Sequence, residues 1–349
     1  MSFSAVASDL LKNFGGVMEN NLNSVLKIDP DCDDPIETYS HSDYYDLDSL
    51  VKLLKKDELK FYTLSLNIES LKAKFNQLCI FLEGLNNKQC QIDAFLLQET
   101  WLTDRQCSGD FLARYDIPGY QAISLGRKCG RKGGLMIYLR DCYTFSIRDL
   151  YRTSTHWEGL FIDVSHKHNV QLPNKISIAN VYRPPRSNNS NISIDNFLAP
   201  FSEAFNTLTG ENSTLITGGD FNINLLQINE REKYQEYFDL FVSNGSIPQI
   251  TMPTRFAKKS ATLIDQIFCR FSKFTSPLTS GIIATKLSDH LPCFSTINLN
   301  KNIHQSTKYI NIRKKGPDEI QQFCTEIKCR LSSAIFDDNL FADPNTNFS

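Results

Sequence analysis

Six apolar runs in this chain each meet a short cluster of polar side chains. Every run has the length and composition of a buried strand. The clusters are Ser65-Leu66-Asn67, Gln98-Glu99-Thr100-Trp101, Asn180-Val181-Tyr182-Arg183-Pro184-Pro185, Gly219-Asp220-Phe221-Asn222, Ile264-Asp265 and Ser288-Asp289-His290-Leu291-Pro292. Open α/β sheets usually bind ligands at the edge where strands end. We therefore expect the clusters to meet at one site, whose carboxylates, amides and histidine suit a divalent cation beside a phosphate.

The composition is that of a globular protein. Hydrophobic residues make up 41% of the 349 residues and charged residues 22%, which excludes a mainly disordered or fibrous chain. The ten cysteines form neither a C-x-x-C pair nor a zinc-type Cys/His spacing, which favours a reducing compartment. The sequence has neither a signal peptide nor an apolar run of about 18 residues. We expect an intracellular protein with no membrane partner.

Composition divides the chain into three segments. Residues 1–58 are polar, and residues 29–48 contain eight acidic side chains and no Lys or Arg, so we predict a flexible acidic leader with one short helix near 48–56. Residues 59–300 alternate strand-like runs with amphipathic helices and form the predicted domain. Residues 301–349 predict a linker helix and a polar tail. The expected strands are 61–66, 92–97, 135–139, 160–164, 176–182, 215–217, 264–269 and 294–299, and the expected helices begin near 71, 194 and 234.

Glu99 and Asn67 follow two successive predicted strands. A carboxylate at a strand end can be a helix N-cap, a surface charge or a metal ligand. An amide oxygen beside a carboxylate suits Mg²⁺, which takes one or two carboxylates and keeps several waters. The pair therefore favours the metal over the other two interpretations.

Asp220 and Asn222 follow the two glycines of Gly218-Gly219. They project to the same side if the backbone stays extended. One interpretation is a turn in which these side chains bond their own backbone. The other is that Asp220 accepts a proton from an attacking water, which Asn222 helps to orient.

His290 lies between Asp289 and an apolar run. A lone histidine is more often structural. With Asp265 available to fix its tautomer and favour its protonated form, His290 becomes a candidate for stabilising charge on a phosphate in the transition state.

Taken in chain order, these clusters resemble the endonuclease/exonuclease/phosphatase family. Among its members they are most similar to the endonuclease domains of non-LTR (LINE-type, Jockey-like) retrotransposons. The resemblance covers roughly residues 61–299. It rests on the six clusters above together with Gly133-Gly134-Leu135 and with Pro253-Thr254-Arg255, which precedes Leu263-Ile264-Asp265.

The resemblance implies an α/β fold, a four-layer α/β sandwich of two mixed β-sheets flanked by helices, as in deoxyribonucleases. It also implies nicking of double-stranded DNA by phosphodiester hydrolysis with Mg²⁺, or with Mn²⁺ in its place, in the nucleus. The implied metal ligands are Glu99, Asn67 and Asp289. The implied catalytic residues are Asp220 and Asn222 on the water, Tyr182 on the phosphate or leaving group, and His290, Asp265 and Thr254 on the scissile phosphate.

Basic side chains near these motifs are the expected DNA contacts. They are Arg127, Lys128, Arg131, Lys132, Arg183 and Arg255. Basic loops are often merely solvated, but Lys and Arg beside a phosphate site would supply salt-dependent affinity for DNA.

The family leaves three functions open. The first is a retroelement endonuclease that nicks DNA for target-primed reverse transcription, from a truncated or stand-alone reading frame, because residues 301–349 contain no reverse transcriptase. The second is an abasic-site repair nuclease or a phosphatase of the same fold. The third is a catalytically unused remnant that acts as a binding module. The sequence predicts no particular oligomeric state.

Overall fold

The apolar runs form the strands of two sheets in the computed structural model. The structure describes residues 22, 42–54, 60–127, 132–149, 156–167, 175–185, 194–209, 213–257, 260–271, 279–298, 321 and 325. Contacts divide the chain into two units, 1–301 and 302–349, and all named elements belong to the first.

The strands of the described residues are numbered in chain order. They are β1 (Asp43–Tyr45), β2 (Lys60–Asn67), β3 (Ala94–Gln98), β4 (Tyr120–Leu125), β5 (Leu135–Arg140), β6 (Tyr143–Arg148), β7 (Glu158–His166), β8 (Ile176–Tyr182), β9 (Thr214–Asp220), β10 (Ser246–Pro248), β11 (Arg255–Ala257), β12 (Ser260–Thr262), β13 (Asp265–Arg270), β14 (Thr279–Ile283) and β15 (Cys293–Asn298).

The helices of the described residues are short to medium in length. The α-helices are α1 (Leu47–Leu53), α2 (Leu71–Asn87), α3 (Gly109–Leu112), α4 (Asp195–Thr209) and α5 (Glu232–Ser243). Single 3-10 turns occupy Asp104–Gln106, Ala113–Tyr115 and Leu225–Glu230. Ser70 caps α2, since its hydroxyl accepts from the backbone N–H of Ala73 at 3.3 Å. Every described helix is too short or too polar to cross a bilayer.

The first sheet has seven strands in the order β1-β14-β15-β2-β3-β5-β4. The β2 and β3 strands run parallel, with Asn67 opposite Gln98. The β15 strand is antiparallel to β2, and β5 is antiparallel to β3. The sheet is therefore mixed, and β2 and β3 end at the same edge.

The second sheet has six strands in the order β10-β13-β9-β8-β7-β6. The β8 and β9 strands run parallel, with Tyr182 opposite Asp220. The β13 strand is antiparallel to β9, and Asp265 lies opposite Asp220. The register thus aligns Tyr182, Asp220 and Asp265 across three neighbouring strands at one edge.

The two sheets pack face to face around one hydrophobic core. Leu96 and Ile137 of the first sheet and Ile178 and Ile216 of the second are all fully buried in it. Continuous apolar strands are expected when both faces of a sheet are covered. Burial of this kind supplies most of the favourable free energy of folding.

Helices cover the outer faces of both sheets. Leu78 and Leu82 of α2 pack with Leu97 of β3, on the face opposite the shared core. On the second sheet, the rings of Phe241 in α5 and Phe268 in β13 stack with centroids 3.8 Å apart. Two mixed sheets between helices form four layers, so the predicted fold is confirmed.

The short helix predicted near 48–56 is α1 (Leu47–Leu53), but residues 42–54 pack against the sheets, which the predicted flexible leader did not include. The β1 strand pairs in parallel with β14, which extends the first sheet. The Tyr44 hydroxyl donates to the carbonyl of Pro253 at 2.7 Å, and Leu50 of α1 is fully buried. The acidic composition of residues 29–48 predicted a solvated segment and gave no indication of these contacts. The rest of the leader, apart from residue 22, and the predicted C-terminal helix, apart from residues 321 and 325, lie outside the described residues.

Candidate active site

Polar side chains from both sheets meet at one edge of the sandwich. Asn67 ends β2, and Glu99 directly follows β3. Tyr182 and Asp220 end β8 and β9, and Asp265 begins the antiparallel β13. His290 lies between β14 and β15 and forms an isolated bridge with Arg255. We call Asn67, Glu99, Tyr182, Asp220, Asp265 and His290 the buried cluster, because each is at most 3% exposed.

Hydrogen bonds join the two sheets within the buried cluster. The Asn67 amide nitrogen donates to Glu99 Oε1 at 3.2 Å and to Asp220 Oδ2 at 2.8 Å. The Tyr182 hydroxyl donates to Glu99 Oε1 at 3.0 Å. Burial first, and then the nearby charges of Glu99 and Asp220, raises the pKa of Tyr182. The phenol therefore stays protonated and acts as a donor.

The second oxygen of Glu99 faces the loop after β3. Trp101 Nε1 donates to Glu99 Oε2 at 3.0 Å, and Lys132 Nζ lies 3.6 Å from the same oxygen. Glu99 and Trp101 have φ angles of 52° and 60°. Left-handed backbone at non-glycine residues is uncommon and concentrates at functional sites.

His290 and Asp265 form a buried charged pair. His290 Nδ1 lies 2.9 Å from both carboxylate oxygens of Asp265, and the Thr254 hydroxyl donates to Asp265 Oδ2 at 2.6 Å. Burial lowers the pKa of His290, but the charges of Asp265, Asp220 and Asp289 outweigh it and raise this pKa to about 9. His290 is therefore an imidazolium at neutral pH.

Asp220 and Asn222 form the predicted local turn, and the Asn222 amide also contacts the Asp220 carboxylate. The backbone N–H of Asn222 donates to Asp220 Oδ1 at 3.0 Å, which is the local turn. The Asn222 side-chain amide donates to Asp220 Oδ2 at 3.1 Å and to the carbonyl of Arg183 at 2.7 Å. Burial, then the charge of Asp265, raises the pKa of Asp220 to about 7. The turn thus holds a carboxylate that takes up a proton near neutral pH.

Asp289 lies outside the buried cluster, with its side chain 40% exposed. Its Oδ2 accepts from Arg255 Nε at 3.0 Å and Nη2 at 2.7 Å, and its Oδ1 lies 3.7 Å from His290 Nε2. Partial burial opposes ionisation, but Arg255 and His290 lower the pKa of Asp289. Asp289 stays ionised beside His290 and is engaged by Arg255.

Arg183 is buried, so the prediction that it contacts DNA is wrong. It is only 2% exposed, and its guanidinium donates to the carbonyls of Phe221 and Asn222 at 3.2 and 3.3 Å. The guanidinium also lies over the Phe197 ring, 5.9 Å from its centroid. A buried arginine bound in this way cannot reach a DNA phosphate. It supports the turn that carries Asp220 and Asn222.

The other expected DNA contacts are exposed or partly exposed where they are described. Arg127 is partly buried, and the Lys132 and Arg255 side chains are 52% and 41% exposed. We call Arg127, Lys132 and Arg255 the basic rim. Lys128 and Arg131 lie outside the described residues.

Mg²⁺ prefers oxygen ligands, which the carboxylates at this edge of the sandwich could supply. In the described part of the chain, Asp220, Asp265 and His290 form a three-residue group with candidate ligand atoms within 4.8 Å of one another. His290 Nδ1 lies 2.9 Å from both oxygens of Asp265, so these two residues already bind each other. This group therefore suits proton and phosphate chemistry better than a cation.

Glu99 fits the cation better. Mg²⁺ commonly binds one carboxylate and keeps several waters, and Glu99 has its carboxylate at the edge of the buried cluster. Asn67 presents its amide nitrogen to Glu99, while its Oδ1 accepts from the backbone N–H of Glu69 at 3.1 Å. Asn67 could ligate a cation at this position only after its amide turns over.

Sequence reasoning placed Gln98 and Asn180 in the predicted clusters but missed their contact with each other, and it missed Glu158 altogether. Gln98 and Asn180 join the sheets below the buried cluster, since Gln98 Nε2 donates to Asn180 Oδ1 at 2.7 Å. Glu158 is 8% exposed and begins β7 opposite Tyr182. For Glu158, the available signal was a lone charged residue at the start of an apolar run.

Comparison with known proteins identifies the fold. No family sequence profile and no curated protein match the chain. Among solved structures, it is similar to the endonuclease domain of TRAS1, a telomere-specific non-LTR retrotransposon, with TM-score 0.52 and 14% identity over 70% of this chain and all of that domain. It is also similar to the AP endonuclease LMAP from Leishmania major, with TM-score 0.56 and 12% identity over 79% of this chain and 98% of that one. The chain therefore has the fold of these endonucleases.

Proposed function

We propose that this protein is a Mg²⁺-dependent endonuclease of the endonuclease/exonuclease/phosphatase family that nicks double-stranded DNA. The observation that carries the proposal is the buried cluster. It combines a carboxylate with a pKa near neutrality, an imidazolium, a protonated phenol and a further carboxylate. Hydrogen bonds join Asn67, Glu99, Tyr182 and Asp220, and ligand atoms of Asp220, Asp265 and His290 lie within 4.8 Å of one another. These are the groups that hydrolysis of a phosphodiester requires.

Asp220 serves as the general base in this proposal. Its pKa of about 7 places it close to the operating pH, where a base is most effective. Asn222 and Asn67 donate to its oxygens and fix the direction of the carboxylate. The attacking water would be deprotonated by Asp220.

His290 and Tyr182 stabilise the phosphate. Because His290 Nδ1 is committed to Asp265, its Nε2 is directed to the remaining side, next to the exposed Asp289. An imidazolium in a site with little water stabilises developing negative charge more strongly than it would in solution. The Tyr182 hydroxyl adds a neutral donor to the phosphate or the leaving oxygen.

The metal of the proposal is Mg²⁺, with Mn²⁺ as a substitute. Glu99 would be its main ligand, and Asn67 and Asp289 would assist in holding it. When bound, the ion neutralises charge on the scissile phosphate and stabilises the leaving oxygen.

The retroelement branch is the preferred substrate class. It is supported by the Tyr182-Arg183-Pro184-Pro185 and Thr254-Arg255 motifs and by the similarity to the TRAS1 domain. On this proposal the protein nicks duplex DNA in the nucleus for target-primed reverse transcription.

An abasic-site nuclease is the second candidate. The similarity to LMAP, an AP endonuclease, favours it, with the higher TM-score of the two comparisons. Its site would have to recognise a missing base, whereas a retroelement endonuclease acts on intact duplex.

Three substrates separate these functions. Purified protein with Mg²⁺ is incubated with supercoiled plasmid, with a duplex containing one abasic site, and with a duplex ending in a 3′-phosphate. We expect nicking of intact plasmid that EDTA abolishes, without a marked preference for the other two substrates. A preference of a hundredfold or more for the abasic duplex would establish the second candidate.

Matched variants identify the site responsible. Glu99→Ala should abolish plasmid nicking, whereas Glu203→Ala, which removes an exposed carboxylate from α4, should leave it unchanged. Equal activity of the wild type and Glu99→Ala would refute the assignment of the site.

A further inference from the structure

Glu158 is a buried carboxylate that the proposed mechanism does not use. Its Oε2 accepts from the backbone N–H of Gly134 at 2.6 Å, and its side chain points to the segment that precedes β5. Burial raises the pKa of Glu158 to about 7, although the Gly134 bond opposes the shift. Burying a carboxylate costs free energy unless it forms a specific hydrogen bond. Glu158 forms that bond with the turn at Gly133 and Gly134.

We call Gly133 and Gly134 the glycine turn. Their φ angles are 103° and 87°, a region that residues with a side chain rarely adopt. A Cβ on Gly133 would lie 2.6 Å from Glu158 Oε1, and a Cβ on Gly134 would lie 2.5 Å from the Thr100 hydroxyl oxygen. The turn is therefore packed directly between Glu158 and the segment that follows Glu99.

The glycine turn also binds Thr100 and Trp101, the two residues that follow Glu99. The backbone N–H of Thr100 donates to the carbonyl of Gly134 at 3.0 Å, and the N–H of Trp101 donates to the carbonyl of Gly133 at 2.8 Å. Trp101 then donates its indole N–H to Glu99 Oε2. A continuous chain of contacts therefore runs from the Glu158 carboxylate to the Glu99 carboxylate.

The same turn places Lys132. This residue directly precedes Gly133, and its Nζ lies 3.6 Å from Glu99 Oε2. Because the lysine side chain is half exposed, the position of its ammonium depends on the backbone that carries it. A loosened turn would release both Lys132 and the backbone beside Glu99.

We propose that Glu158 is a positioning residue of this site, which acts through the glycine turn to fix Glu99 and Lys132. The inference rests on the proposed function for its effect on cleavage, but the contacts that Glu158 makes do not. Groups at an active site must be held to within about half an ångström of their productive geometry by the residues behind them. Glu158 supplies that support from the second sheet to a loop of the first.

The first test measures the turn without DNA or metal. Amide hydrogen exchange is followed residue by residue in the wild type, Glu158→Ala and Glu158→Gln. In Glu158→Ala we expect the Thr100 and Trp101 amides to exchange at least tenfold faster, while amides of β2 and β15 stay protected. Glu158→Gln keeps an acceptor for Gly134 and should retain protection. Unchanged exchange at Thr100 and Trp101 in Glu158→Ala would overturn the proposal.

The second test measures cleavage. Under single turnover with saturating plasmid and Mg²⁺, Glu158→Ala should cleave bound DNA at least tenfold more slowly. Its affinity for DNA in EDTA should fall no further than that of Lys132→Ala, because the loosened turn releases that one rim contact, and Glu158→Gln should restore most of the rate. Full wild-type rate in Glu158→Ala would overturn the positioning role even if the turn loosens.

A matched control separates positioning from general stability. Asp93 is also a buried carboxylate that accepts from a backbone N–H, that of Tyr62 at 2.8 Å, but it lies at the opposite end of β3. Asp93→Ala should lower the thermal midpoint without faster exchange at Thr100 and Trp101. If Asp93→Ala loses protection there as much as Glu158→Ala does, the role of Glu158 is only structural. If the wild type does not nick DNA, the proposed function fails, and the exchange data alone decide whether Glu158 holds the turn.

Discussion

The buried cluster and the basic rim lie side by side but differ in their surroundings. Residues of the buried cluster are at most 3% exposed and bond mainly to one another. In the basic rim, the Lys132 and Arg255 side chains are 52% and 41% exposed. Charges interact strongly where water is excluded and weakly where salt screens them. The buried cluster should therefore set the rate of cleavage, and the basic rim should set the affinity for DNA.

Replacement of Asp220 should give the largest effect. Asp220→Asn keeps the size of the side chain and removes the proposed base, so single-turnover nicking should fall a hundredfold or more. Affinity for DNA in EDTA should not change. The exposed Asp239→Asn on α5 is the matched control. If Asp220→Asn lowered only the affinity for DNA, Asp220 would act in DNA binding, as the basic rim does. That result would contradict the assignment of cleavage to the buried cluster.

The pH profile should depend on Asp265. His290 has a pKa of about 9, above its ordinary 6.5, so its charge is present through neutral pH and is lost as pH rises through about 9. Asp265→Asn removes one of the three carboxylates that raise this pKa and leaves Asp220 and Asp289. The alkaline limb of the cleavage rate should therefore move to lower pH by about one unit or more.

Thr254→Val is the control for that shift. It removes the hydroxyl that donates to Asp265 but keeps the carboxylate, so the alkaline limb should move less than in Asp265→Asn. An alkaline limb that stays in place in Asp265→Asn would mean that His290 does not carry the charge that cleavage requires.

Neutralising Lys128 and Arg131, which lie between Arg127 and Lys132 in the sequence, should change only the affinity for DNA. Lys128→Ala combined with Arg131→Ala should weaken DNA binding roughly tenfold at low salt. It should also reduce the slope of log affinity against log salt by about 0.9 for each DNA phosphate that the variant no longer neutralises. The rate at saturating DNA should stay within twofold. Lys233→Ala on α5 is the control, and an unchanged salt slope in the double variant would remove these residues from the DNA interface.

The smallest effect is expected at Tyr44. Tyr44→Phe removes the hydroxyl that donates to Pro253, next to Thr254, and should lower the free energy of unfolding by about 1 kcal/mol. Nicking should fall less than threefold. Urea unfolding and plasmid nicking measure the two effects. A tenfold loss of nicking at unchanged stability would show that β1 supports the buried cluster directly.

The sequence predicted the site better than its surroundings. Asn67, Glu99, Tyr182, Asp220, Asp265 and His290 could be grouped because each adjoins an apolar strand, and strand ends at one sheet edge meet. Short strands such as β10, β11 and β12 have three residues each and too little periodicity to be recognised. The β1 strand was hidden by its acidic neighbours.

The contacts of Arg183 and Glu158 could not be predicted from the sequence. Arg183 precedes two prolines and has the appearance of a loop cation, but its guanidinium turns inward to the carbonyls of Phe221 and Asn222. Glu158 contacts Gly134, 24 residues before it in the chain. The Arg183 contact depends on the pairing of β8 with β9, and the Glu158 contact on the packing of the two sheets, neither of which a local pattern encodes.

The most direct test of the buried cluster is plasmid nicking by the wild type, Glu99→Ala and His290→Ala under the same Mg²⁺ concentration. We expect the wild type to convert supercoiled plasmid to the relaxed circle, and each variant to do so at least a hundredfold more slowly while still binding DNA. Equal nicking by all three proteins would contradict the account, because the buried cluster would then take no part in the reaction.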